Sequence, residues 1–151
     1  MNNTPPQVFL GGTVGANRWR ESIVIPGLLA RGVAADILFN PVVTHWTQQA
    51  QQYEDTVKRA VRYLLYVIAS PDPVGGTANV SAYSLVELTM SLYDSPNRVI
   101  ALFDTSGMPH HTAKAIRKSA QDLRERFPGA PIFTDYESMM DWLARHLQEN
   151  T

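Results

Sequence analysis

The residues best suited to chemistry stand where loops run into helices. Glu87 lies in Val-Ser-Ala-Tyr-Ser-Leu-Val-Glu-Leu-Thr-Met-Ser-Leu-Tyr (80–93), one turn into an amphipathic helix that follows a Pro/Gly-rich loop, 70–79. It sits among Leu85, Leu88, Met90 and Leu92, the apolar positions expected to face a sheet. A carboxylate at a helix head can be simply a capping or dipole partner. It can also act as a nucleophile. Asp55, near the head of the preceding helix, supplies a second carboxylate, and two such groups about 5 Å apart could cleave a glycosidic bond as nucleophile and general acid. Ser81 and Ser84 begin the Glu87 helix and could donate hydrogen bonds to a sugar hydroxyl or a phosphate.

Gly11-Gly12-Thr13-Val14-Gly15 closes the first strand-like run. Glycine lets backbone amides approach a ligand closely, and the helix start behind it favours an anion. A tight turn alone would explain the same residues. The G-G-x-x-G spacing is a poor dinucleotide fingerprint, because strand two ends in Phe39-Asn40 with no acid to hold a ribose, and no Gly-Lys-Ser/Thr follows as in a P-loop. No cofactor is therefore expected. His110-His111 point apart at a helix start without a third ligand, so no metal is expected either. His45 and Trp46, after strand two, could contact a base or simply pack. Trp19 and Trp142 read as core or interface residues. With no cysteine, thiolate chemistry is excluded, and with no G-x-S-x-G elbow a serine hydrolase is unsupported.

These residues need elements to hold them. The chain has 151 residues, length enough for one domain, 1–151, with a loose start over 1–6. Apolar runs at 7–10, 35–39, 64–69, 98–103 and 131–133 read as strands. Between and after them, helices are predicted from 16 or 17 to 30, over 47–62, 80–93 and 108–127, and from 134 or 135 onward. Tyr53, Val57, Ala60 and Val61 would form the buried face of the second helix, and Met139, Trp142, Leu143 and Leu147 that of the last. Every crossover is long enough to hold a helix. This predicts an α/β fold with a doubly wound, flavodoxin-like parallel sheet in the order 2-1-3-4-5 and helices on both faces. Ligands of such sheets sit beyond the strand ends at the switch in strand order, here the loops after strands one and three.

The charged fraction is 18% and the net charge −1, so no nucleic-acid polymer or membrane surface is expected as partner; the basic set at 114–126 reads as a solvated helix face. No run approaches 18 apolar residues, and residues 1–10 lack the pattern of a secretion signal, which makes a cytoplasmic protein the expectation.

Phe9-Leu-Gly-Gly-Thr, Trp19-Arg20-Glu21, Leu38-Phe-Asn-Pro41, the 64–69 run with Ser70-Pro71, and Ser-Ala-Tyr-Ser-Leu-Val-Glu-Leu (81–88), in this order, resemble the nucleoside 2-deoxyribosyltransferase-like proteins. The resemblance covers residues 8–104. It implies that Glu87 attacks the anomeric carbon of a (deoxy)ribosyl group and expels the base, leaving a glycosyl-enzyme that a second base or water resolves. It gives a proton-transfer role to Asp55, with Glu54 a close rival, and places Phe9, Gly11, Gly12, Thr13, Ser81 and Ser84 around a nucleoside or nucleotide substrate. Ser81 stands six residues before Glu87, where related nucleotide N-hydrolases keep a phosphate-binding serine. Glu87 is followed by Leu-Thr where the family has Leu and a small residue, and the 71–79 loop is long enough for a lid. A homo-oligomer is expected. The contrasting readings are a non-catalytic nucleotide-binding module of this fold and a signalling domain of the response-regulator type; the latter lacks the acidic pair after strand one.

Overall fold

The computed structural model describes residues 4–75 and 79–149. Residues 1–3 of the expected loose start, and 76–78 of the expected lid, lie outside them; residues 4–7 form no helix or strand. The five parallel strands are β1 (Val8–Gly12), β2 (Leu38–Phe39), β3 (Tyr63–Ile68), β4 (Val99–Phe103) and β5 (Ile132–Phe133), in the order β2-β1-β3-β4-β5. The α/β architecture is thus the flavodoxin-like one that the alternation of elements predicts. The helices are α1 (Ile25–Ala30), α2 (Gln48–Ala60), α3 (Ala82–Asp94), α4 (His110–Arg126) and α5 (Tyr136–Gln148). No helix among the described residues is long and apolar enough to cross a membrane.

Central strand β3 is buried throughout, and its two-residue period divides the core. Leu65 and Val67 join Val8, Leu10, Ile100 and the buried residues of α5 on one face. Leu64, Tyr66 and Ile68 join Phe9, Val57, Leu88 and Ile116 on the other.

Several boundaries differ from expectation. The first helix starts at Trp19 rather than at residue 17, because residues 13–17 are spent on joining two loops, and it opens with a π turn, Arg20–Val24, ahead of Pro26, which has no N–H to give to the turn before it. Strand two shrinks to two residues because Ala35–Ile37 forms a 3₁₀ turn. On α2 only Val57 is buried, with Val61 just past its end; Tyr53 stays exposed and meets Phe39 edge-on. On α3 the inner face is Ser84, Leu88 and Leu92, and Met90 points outward. On α5 Met140 and Ala144 are buried, and Trp142 only partly.

The loops after β1 and β3 are joined directly. Thr13 was expected among the substrate contacts, but it is fully buried: its hydroxyl donates to the Ala69 carbonyl (3.1 Å) and accepts from the Ala69 N–H (3.0 Å). The Thr13 amide donates to the Val67 carbonyl at 2.9 Å, and the Asn17 amide and side chain donate to the Pro71 and Ser70 carbonyls, both at 2.9 Å. One side chain thus extends the β1–β3 ladder past the last strand residue. Thr13→Val is expected to leave both Ala69 groups buried without partners and to cost about 3 kcal/mol, whereas Thr13→Ser keeps the hydroxyl and most of the stability. Urea denaturation of the two variants checks this; equal stability would remove the role given to the hydroxyl.

Candidate active site

At the carboxyl ends of β1 and β3 lies a cleft of about 370 Å³, a size suited to a small organic ligand. Its floor is the end of β1. A Cβ on Gly11 would lie 2.7 Å from the Phe9 ring and 2.9 Å from the Tyr66 ring, and Gly12, at φ +116°, would drive a Cβ into the Val67 backbone. Glycine is required at both places, one for space and one for conformation as well.

Beneath this turn Arg20 is 3% exposed. Its Nε donates to the Leu10 carbonyl (2.8 Å), Nη1 to that of Thr13 (2.9 Å) and Nη2 to that of Gly12 (3.2 Å), while the guanidinium rests 4.1 Å from the Trp19 ring centroid. Burial lowers its pKa to about 10, partly countered by Glu21 and Glu54, so it remains a cation at neutral pH. Trp19 is itself core, with its indole N–H on the Thr13 carbonyl at 2.9 Å.

One wall comes from α2 and the other from α3. Thr47 caps α2 by accepting the Ala50 N–H, which fixes the rotation of its first turns and presents Gln51 and Glu54 to the cleft. Ser81 caps α3, accepting the Ser84 N–H (3.2 Å) and the Ser84 hydroxyl (2.9 Å), and its own O–H is left to donate. Glu87, two turns on, faces Glu54 across the opening. Between them stands the Lys58 ammonium, which donates to Glu54 Oε1 at 3.1 Å and to Glu87 Oε2. Two oxygens that share one ammonium lie within roughly 6 Å of each other. All three side chains are mostly buried. Burial works to lower the Lys58 pKa, but the hydrogen bonds and charges of Glu87 and Glu54 more than offset it and hold the ammonium above its ordinary value. Lys58 also lies 4.9 Å from the Phe9 ring centroid. Burial raises the pKa of Tyr66, whose hydroxyl meets Ser91 Oγ at 2.9 Å.

Of the residues expected at the site, Phe9, Gly11, Gly12, Ser81, Ser84 and Glu87 line one cleft. Thr13 and Asp55 do not. Asp55 turns along α2 to accept the Gln51 side-chain amide at 3.1 Å, and its neighbour Glu54, the rival for the role, takes the place opposite Glu87. The 41–46 loop brings Val42, Val43 and Trp46 to the rim, and Tyr83 faces them. Lys58 was legible only as a partner of Glu54 at i,i+4 spacing; nothing local marks Arg20 as buried. His110 and His111 are exposed at the start of α4 with ring centroids 5.9 Å apart. The chain matches no family model, no curated protein and no solved structure.

Because its folded pKa is raised, Lys58 contributes stability that is fully present below the ordinary lysine value of about 10.4 and is lost as pH rises toward the folded value. Lys58→Met, which leaves two glutamates without their cation, is expected to cost about 2 kcal/mol at pH 7, with the gap to the parent protein narrowing above pH ~10.4. Urea titrations from pH 7 to 11 measure it; a gap independent of pH would mean that the methylene stem, not the charge, matters.

Proposed function

We propose that the protein cleaves the N-glycosidic bond of a (deoxy)nucleoside or nucleotide through Glu87, passing the sugar to a second base or to water. The observation that carries this reading is the meeting of Glu87 and Glu54 in one cleft on a single ammonium. Their closeness suits the retaining geometry, in which one carboxylate attacks the anomeric carbon and the other handles the proton. The resemblance of residues 8–104 to deoxyribosyltransferase-like proteins points to the same glutamate.

In the first step a Glu87 oxygen bonds to C1′ while the C1′–N bond breaks and its electron pair goes to the base; Glu54, which takes up a proton from solvent as the substrate binds, passes that proton to the leaving nitrogen. The ester neutralises Glu87. Lys58 is then released to pair wholly with Glu54, which has become the anion, so the cleft keeps its charge through the step. In the second step an acceptor base or water attacks C1′ from the opposite side, Glu54 takes its proton, and Glu87 leaves as carboxylate. Two inversions retain the anomeric configuration. The exposed rings of Trp46 and Tyr83 offer faces on which a base can stack.

One observation favours a non-catalytic nucleotide-binding module instead: the Lys58 ammonium already occupies a Glu87 oxygen. Incubation with nucleosides, deoxynucleosides and their 5′-monophosphates, with and without a free base, separates the two. Base release is expected with retained configuration, reduced by roughly a thousandfold or more in Glu87→Gln and by about 10²–10³ in Glu54→Gln, and unchanged in Asp55→Asn. An inverted product, or binding without release in the parent protein, would overturn the assignment.

A further inference from the structure

A second cavity, of about 520 Å³, opens at the carboxyl ends of β4 and β5, on the far side of β4 from the Glu87 cleft. Its lining is polar. The loop after β4 supplies Asp104, Thr105 and Ser106, and Thr134 follows β5. From α4 come Arg117, Gln121 and Arg124, at spacings of four and three that place them on one helix face. The basic residues of α4 are exposed, as expected of a solvated face, and two of them, Arg117 and Arg124, also border this cavity.

Neither arginine is spent on a carboxylate. Arg117 Nη2 donates to Thr105 Oγ1 at 3.4 Å and Arg124 Nη2 to the Ile132 carbonyl at 3.2 Å, and no ion pair among the described residues includes either one. Lys118, one residue beyond Arg117, by contrast pairs with Asp122. Among the described residues the only acid in the lining is Asp104, whose Oδ1 accepts the Ser106 N–H at 3.0 Å and so closes its own loop. Two guanidiniums against one carboxylate leave one positive charge over, a net positive cavity with hydroxyls on two sides.

The loop itself is held from several directions. The Asp104 amide bonds the Ile68 carbonyl (2.9 Å), the Met108 amide bonds the Thr105 carbonyl (3.1 Å), and Gly107, at φ +72°, packs so tightly on Pro73 that a Cβ would lie 2.6 Å from its Cα. The hydroxyls are thus presented by a preformed loop, which keeps the ordering cost of binding low.

We propose that this cavity binds a small molecule bearing two phosphate groups. The arginines are rooted two helical turns apart, about 10 Å along the α4 axis, and their long side chains can converge so that each guanidinium takes one of two adjacent phosphates in a bidentate fork while Thr105, Ser106 and Thr134 donate to the remaining oxygens. A single phosphate engages only one of the forks. The site is independent of the chemistry proposed for Glu87.

The test uses pyrophosphate as probe, orthophosphate as comparison, calorimetry for affinity and backbone-amide NMR for location. Pyrophosphate is expected to bind at least about tenfold more tightly than orthophosphate and to shift the amides of Thr105, Ser106 and Thr134. Arg117→Gln and Arg124→Gln should each weaken it about tenfold or more, and Glu87→Gln should leave it unchanged. Arg126→Gln removes the same charge from α4 at a residue that instead bonds the Tyr93 hydroxyl, and should also leave it unchanged. No binding, equal affinity for the two anions, equal weakening by Arg126→Gln, or shifts confined to Gly11, Gly12 and Ser81 would each overturn the proposal.

Discussion

Glu54 and Glu87 belong to different helices on different sides of a cleft, and each is taken largely out of water. Two like charges so placed would push α2 and α3 apart unless a cation stood between them. Lys58 is that cation, and it comes from α2 itself, one turn beyond Glu54. The arrangement ties the wall of the cleft to its chemistry. The same ammonium that lets α2 and α3 approach is the counter-charge that the proposed reaction would leave to Glu54. The Phe9 ring beneath it keeps water from the inner side of the trio.

A second electrostatic requirement lies below the cleft floor. The end of β1 and the residue after it aim three carbonyls, of Leu10, Gly12 and Thr13, at the buried Arg20. Unpaired, each would be costly. Arg20 meets all three with one planar group, and the Trp19 ring covers its face. Lysine, with a point charge and no planar fork, could not serve three carbonyls in this way. The first helix supplies both residues in its opening turn, so that its start is fixed by the β1 turn it supports rather than by its own helix signals.

That dependence explains what was legible in the sequence and what was not. The uninterrupted apolar run of β3 and the regular alternation with helices led to the sheet order, because burial on both faces leaves a composition signal that no local detail can disguise. The first helix starts later than residue 17 because Asn17 looks like helix entry while its backbone amide and side chain serve the loop at Ser70 and Pro71. Met90 was placed inside because periodicity weighs apolar character alone; the inner row runs through Ser84, whose hydroxyl is satisfied by Ser81 and so can be buried. Asp55 and Glu54 are adjacent residues about 100° apart around a helix, and distance from the strand cannot choose between them. The choice is made by Lys58, four residues after Glu54, which Glu87 then shares. Arg20 was invisible for a different reason: its partners are carbonyls, and carbonyls have no letter in a sequence.

Both outermost strands, β2 and β5, are only two residues long. A sheet is normally open to lateral growth along its edges, where unpaired amides and carbonyls offer a template to any passing strand. Here there is almost no template to copy. Edges this short give copies of this chain little on which to extend one another's sheets, and the flat, self-propagating contacts that lead to insoluble aggregates have little to start from.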